Sequence, residues 1–167
     1  MNLIASVDEN WGIGADGQLL ARVPADMRQF RQHTLHHVVV LGRLTLATFP
    51  HAAPLPERTN IILSRNPAFS CPGAYAAHSQ EELFALLHGY ADDEIYVIGG
   101  ASVYRQLLPY CRRAYLTRFH AVYAADRFLP NLDAAAAWQL TACSERMSHA
   151  GLDFTFLTYE NSRPLAY

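Results

Sequence analysis

The chain has 167 residues, 51% of them hydrophobic and 17% charged, with a net charge of −2. That length predicts one domain over residues 1–167 with a sizeable core. The balanced charge argues against nucleic acid as a partner, and no apolar run approaches the roughly 18–20 residues that cross a bilayer. Cys71, Cys111 and Cys143 are scattered and form no CxxC pair, which points to reduced thiols in the cytoplasm. No histidine falls in an HExxH arrangement, so no metal site is expected.

The first run, "NLIASV" (2–7), reads as a strand: no basic segment precedes it, as a signal peptide would need, and Asp8-Glu9 end it. Further strand-like runs are "HVVVLG" (37–42), "TNIILS" (59–64), "EIYVIGG" (94–100), "AYLTRFHAVY" (114–123), "WQLTACSE" (138–145) and "LDFTFLTYE" (152–160). The early ones are short and almost wholly apolar, as in parallel strands covered on both faces. The last alternates, with Leu152, Phe154 and Phe156 on one side, which suits an antiparallel edge or hairpin. Helical stretches fall between the early strands. Pro24 opens one over 24–34, a short one follows at 43–49, and "SQEELFALLHGY" carries a Ser79–Glu82 capping box with Leu83, Leu86 and Leu87 inward. "ASVYRQLLP" (101–109) opens directly after Gly99-Gly100 and stops at Pro109. The pattern predicts an α/β fold, a single domain with a mostly parallel central sheet flanked by helices and a C-terminal antiparallel hairpin. Ligands in such sheets sit at the carboxyl ends of strands.

"GIGADG" matches GxGxxG through Gly12, Gly14 and Gly17, but "DEN" separates it from the strand and Pro24 lies ahead. It reads as a flexible loop covering a site rather than a dinucleotide turn. "VLGRLT" is better placed: a buried strand ends at Gly42, where Arg43 and Thr45 could hold phosphate, or simply form a glycine turn with a surface arginine. "LSRN" repeats the choice with Ser64 and Arg65, and two such turns would suit an adenosine bearing a 2′-phosphate. In "VIGGAS", Gly99 and Gly100 mean that backbone approaches either a ligand or a neighbouring strand closely.

Asp26 stands in "PADMRQF". A carboxylate in the first turn favours the helix dipole, which is sufficient reason for its presence. It also lies four residues before Phe30, on the edge of the apolar stripe, while Arg28, Gln29, Arg31 and Gln32 occupy the wet side. A carboxylate there needs a hydrogen-bonding partner, from protein or ligand; Thr117 is a plausible polar neighbour.

Taken together, "LIASVDENWGIG", "PADMRQF", "VVVLGRLT", "LPERTNIILSR", "EIYVIGGASVY", "YLTRF" and "AADRFLP" resemble, in order and spacing, the dihydrofolate reductase family over essentially the whole chain. The resemblance implies NADPH-dependent reduction of 7,8-dihydrofolate to tetrahydrofolate by a cytoplasmic monomer. It makes Asp26 the ionisable group of the pterin pocket, bonding the ring N3 and 2-amino group, with Thr117 supporting it. Met27, Phe30, Phe49 and Leu55 match pocket walls, Arg58 the arginine that takes the substrate's α-carboxylate, and Ala5 and Ile98 carbonyls facing the ring. For NADPH it implies Ser6, Ile13, Leu19, Gly42, Arg43, Thr45, Ser64, Arg65, Gly99, Gly100, Ala101, Ser102, Val103 and Tyr104, with a cis Gly99-Gly100 junction and a lid over 9–23. Leu20-Ala21 stands where the family usually has a Pro-Trp pair whose indole anchors a water near the pterin. Two other readings stay open: a reductase of another pterin or of a pyrimidine intermediate on the same fold, and a non-catalytic NADPH-binding protein.

Overall fold

In the computed structural model, which describes residues 1–167, the apolar runs assemble into one mixed sheet. Along the chain the elements are β1 (Asn2–Val7), β2 (Gly12–Gly14), α1 (Pro24–Thr34), β3 (Val38–Gly42), α2 (Arg43–Leu46), β4 (Thr59–Leu63), β5 (Tyr75–Ala77) and α3 (Gln80–Leu87). They continue through β6 (Ile95–Gly99), α4 (Ala101–Leu107), β7 (Arg113–Phe119), β8 (Arg127–Phe128), β9 (Trp138–Cys143), β10 (Met147–His149) and β11 (Leu152–Asn161).

The sheet order is β10-β11-β7-β1-β6-β3-β4-β5, with β9 also paired to β11. Every pair from β7 to β5 is parallel, and β11 runs antiparallel to β7, β9 and β10. Val38 to Leu41 are all buried, the signature of a strand covered on both faces. Leu3, Val7, Val97, Leu116, Leu157 and Tyr159 pack in the larger core cluster. Ile4, Val39, Leu41, Ile62 and Ile98 form a second cluster, against which Phe30 of α1 packs.

Several boundaries differ from expectation. β11 is not an edge: Phe154 and Phe156 join a cluster with Val23 and Phe119, while Leu157 and Tyr159, opposite in strand parity, enter the main core. The run 114–123 leaves the sheet after Phe119, where the His120 amide bonds to the Asp153 carbonyl at 2.8 Å. The segment 43–49 is helical only to Leu46. The capping box is half formed: Ser79 accepts from the Glu82 amide at 3.1 Å, but the Glu82 carboxylate takes the His78 amide at 2.7 Å, one residue early. β2, β5 and β8 have two or three residues each, too short to show a period-two pattern. Within the lid segment, β2 pairs with β8, so part of that loop is strand.

Leu3 sits fully buried in β1, at the middle of the sheet. Leu3→Ala is expected to cost about 2–5 kcal/mol, read as a lower urea midpoint with an unchanged slope.

Candidate active site

α1 starts after Val23, which offers no side-chain cap, and Pro24 presets the first turn. Asp26 therefore lies in that turn, half-buried. Burial pushes its carboxyl above the usual range, and the Thr117 hydroxyl, on β7, pulls it part of the way back. Thr117 pairs in register with Ser6 of β1 and Ala5 lies one position before. The same carboxylate bears on Tyr104: burial first, then the charge of Asp26, drives the phenol well above its ordinary value. Its hydroxyl donates to the Ile4 carbonyl at 2.8 Å. Asp26, Thr117 and Tyr104 thus converge from α1, β7 and α4 at the carboxyl end of β1. Ile4 escapes sequence reading because its contribution is a backbone carbonyl, which leaves no side-chain signal.

Phe30, Phe49 and Leu55 pack against the cluster containing Ile98 and Ile4, forming one apolar wall. Leu55 is held by buried Asn60, whose carbonyl oxygen accepts from the Leu55 amide and whose amide donates back to the Leu55 carbonyl, both at 2.9 Å. Asn60 is a further support missed in the sequence, hidden within an apolar strand. Met27 and Leu19 stand apart from the wall, at 44% and 47% exposure. Arg58 donates to the Pro56 carbonyl at 2.9 Å and the Thr34 hydroxyl at 3.1 Å. It has no carboxylate partner, because its neighbour Glu57 pairs with Arg31 at 3.1 Å.

Where β3 and β6 end, side chains are excluded. A Cβ on Gly42 would stand 3.1 Å from Val103, and one on Gly100 3.1 Å from the Thr45 hydroxyl. Gly99 has φ of 119° and its Cβ would lie 3.2 Å from the Tyr104 ring; the Gly99-Gly100 peptide is cis. At these positions the close approach is to protein, the side chains of Val103, Tyr104 and Thr45. Arg43, Arg65 and Ser102 are exposed, and Ala101 is half-buried. Neither Arg43 nor Arg65 takes part in any ion pair. Ser64 is buried, and its hydroxyl accepts from the Asn66 amide at 3.3 Å, so it shapes the turn.

The segment between β1 and α1 is anchored unevenly. The fully buried Asp8 carboxylate accepts from the amides of Asn10 (2.9 Å), Gly12 (2.8 Å) and Tyr123 (2.9 Å). Asp126 takes the Asp16 amide at 3.1 Å and donates its own amide to the Gly14 carbonyl at 3.0 Å. Ile13 is half-buried within β2. Leu19 to Arg22 make no backbone hydrogen bond. Ala21 packs against Val23, Phe119 and Phe154.

A family model described as dihydrofolate reductase matches residues 1–161. The chain belongs to the dihydrofolate reductase family. It is 34% identical to dihydrofolate reductase HdrB of Haloferax volcanii, over 98% of this chain and 84% of that protein. It is 31% identical to the dihydrofolate reductase of Bacillus subtilis, over 96% and 94% of the two chains. Among solved structures, dihydrofolate reductase from Enterococcus faecalis, complexed with NADP(H) and RAB-propyl, superposes with a TM-score of 0.85. It has 32% identity and covers 96% of this chain and 95% of its own.

The raised Asp26 carboxyl makes the ionised form a cost to this dihydrofolate reductase fold. That cost is present at neutral pH and fades as pH falls through the raised value toward that of the unfolded chain. Asp26→Asn is therefore expected to melt higher than the parent at pH 7, with the gain shrinking in acid; thermal scans across pH check it.

Proposed function

We infer that the chain reduces 7,8-dihydrofolate to 5,6,7,8-tetrahydrofolate with NADPH, as one domain over residues 1–167 acting as a cytoplasmic monomer. The observation that carries the reading is the half-buried acid Asp26, with Thr117 beside it and Tyr104 within its field, at the strand ends of a dihydrofolate reductase fold. Three free thiols favour a reducing compartment, and no helix is long and apolar enough to cross a membrane.

The bare backbone at Gly42, Gly99 and Gly100 fits a cofactor pressed against the strand ends. Arg43 and Arg65, with no acidic partner, supply cations for its phosphates, and Thr45 and Ser102 supply hydroxyls. Ala5, Ser6, Ala101, Val103 and Tyr104 frame the nicotinamide end. When bound, NADPH supplies a hydride from nicotinamide C4 to pterin C6. The Asp26 carboxylate accepts from the pterin N3 and 2-amino groups, fixing the ring and biasing it toward protonation at N5. Thr117 holds that carboxylate, and Ile98 and Ala5 turn carbonyls toward the ring. Phe30, Phe49, Leu55 and Met27 exclude water from the ring and the group that follows it. Arg58, already oriented by Thr34 and Pro56, offers its remaining donors to the glutamate α-carboxylate. Leu19 and Ile13 belong to the segment that covers the nicotinamide.

Asp26→Asn should keep NADPH binding and lose dihydrofolate turnover by on the order of a hundredfold or more near neutral pH. The wild-type rate should show a titration above the ordinary carboxylate range that the variant lacks. Equal rates and profiles, followed at 340 nm, would overturn the role of Asp26. Arg58→Leu should raise the KM for dihydrofolate at least about tenfold, leaving NADPH affinity unchanged; a folate lacking the glutamate should be indifferent to it.

A further inference from the structure

Trp11 is the one large aromatic residue in the anchored half of the segment between β1 and α1. Its backbone has φ of 64°, a left-handed conformation that bulky residues rarely adopt, yet the side chain is only 6% exposed. Something must hold it there. The Arg118 guanidinium carbon lies 4.8 Å over the centre of the indole, the arrangement of a cation on an aromatic face. Tyr159 meets the indole edge-on at 6.1 Å. Asp133 secures both partners, accepting from Arg118 at 3.1 Å and from the Tyr159 hydroxyl at 2.6 Å. Backbone bonds complete the seat: the Trp11 amide donates to the Asp8 carbonyl at 3.1 Å, and the Leu129 amide donates to the Trp11 carbonyl at 2.9 Å.

Arg118 directly follows Thr117 in β7. Strand parity sends adjacent side chains to opposite faces, so Thr117 reaches Asp26 on one face and Arg118 reaches Trp11 on the other. His120, on the Arg118 side, faces Glu9 at 3.8 Å. One strand end therefore carries both the support of the acid and the hold on the loop root.

We propose that Trp11, clamped by Arg118 with Asp133 and Tyr159, is a positioning residue: it fixes the root of the covering segment so that Leu19–Arg22, which make no backbone hydrogen bond, close over the site in register. This rests on the reading of that segment as a cover for the nicotinamide. Trp11 is buried against Arg118 and Tyr159 in the protein interior, so on this proposal its effect falls on the reacting geometry rather than on ground-state binding.

The test is single-turnover hydride transfer, alongside the KM for dihydrofolate, the Kd for NADPH and the melting temperature. Trp11→Leu and Arg118→Met should slow hydride transfer at least about tenfold while KM and Kd stay within about twofold. Trp11→Phe and Arg118→Lys, which keep a ring and a cation, should recover most of the rate. Asp133→Asn supplies the same comparison if the harsher variants fail to fold. An unchanged rate overturns the proposal, as does a loss in step with NADPH affinity or one that Phe and Lys do not rescue. Leu19→Gly separates the two levels. If it slows hydride transfer while the Trp11 and Arg118 variants do not, only the clamp fails; if it too has no effect, the covering role of the segment falls with it.

Discussion

The site depends on a carboxylate kept where the solvent can only partly reach it. Asp26 is half-buried, and the protein offers it one compensating contact, from Thr117. A cationic neighbour would have competed for the acceptor sites that a flat heterocycle with ring N–H and amino donors needs, and would have held the carboxyl low rather than raised. The partial support leaves both oxygens responsive to a ligand. Much else follows from keeping α1 in place above the sheet. Phe30 anchors it to the Ile98 cluster. Further along, the His33 ring stacks on Tyr115 with centroids 4.2 Å apart and packs against Tyr96. Burial, then the neighbouring His37, lowers the proton affinity of His33, which suits a neutral ring in an aromatic stack.

Legibility in the sequence followed the strength of the local signal. The runs that became β1, β3, β4 and β6 are dense in Val, Ile and Leu, because strands buried on both faces have no polar alternation to confuse. Pro24 marked α1 at its first residue. The glycine pair after β6 pointed to a crowded turn, and the structure shows the crowding from Tyr104 and Thr45. Asp26 stood out only because Phe30 follows it by one helical turn.

What stayed hidden has physical reasons as well. β2 and β8 lie far apart in the chain, with Gly12 opposite Phe128, and glycine gives no strand propensity to read. Asp8 looked like the end of an apolar run, yet its carboxylate is fully buried and satisfied by three backbone amides. Asn60 sits in a run of apolar residues and reads as an interruption, although it braces the loop that carries Leu55. The β2–β8 pairing and the Asp8–Tyr123 bond join distant stretches of chain, which spacing along the sequence does not encode, while the nearer bonds of Asp8 and Asn60 join a side chain to backbone, which leaves no periodic signal. Ala21 illustrates the complementary problem. The absence of an indole is visible in the sequence, but only the fold shows that Ala21 packs against the cluster of Val23, Phe119 and Phe154.

The crowded glycines carry a consequence for how this molecule could change. At Gly42, Gly99 and Gly100 the obstacle is a single added carbon, and the groups in its way belong to Val103, Tyr104 and Thr45. Val103 and Tyr104 are themselves buried in the main core, so relief of the clash disturbs the packing of α4 on the strand ends. Sequence change is thereby steered away from these turns and toward exposed positions such as Leu19 and Met27, which have room to vary.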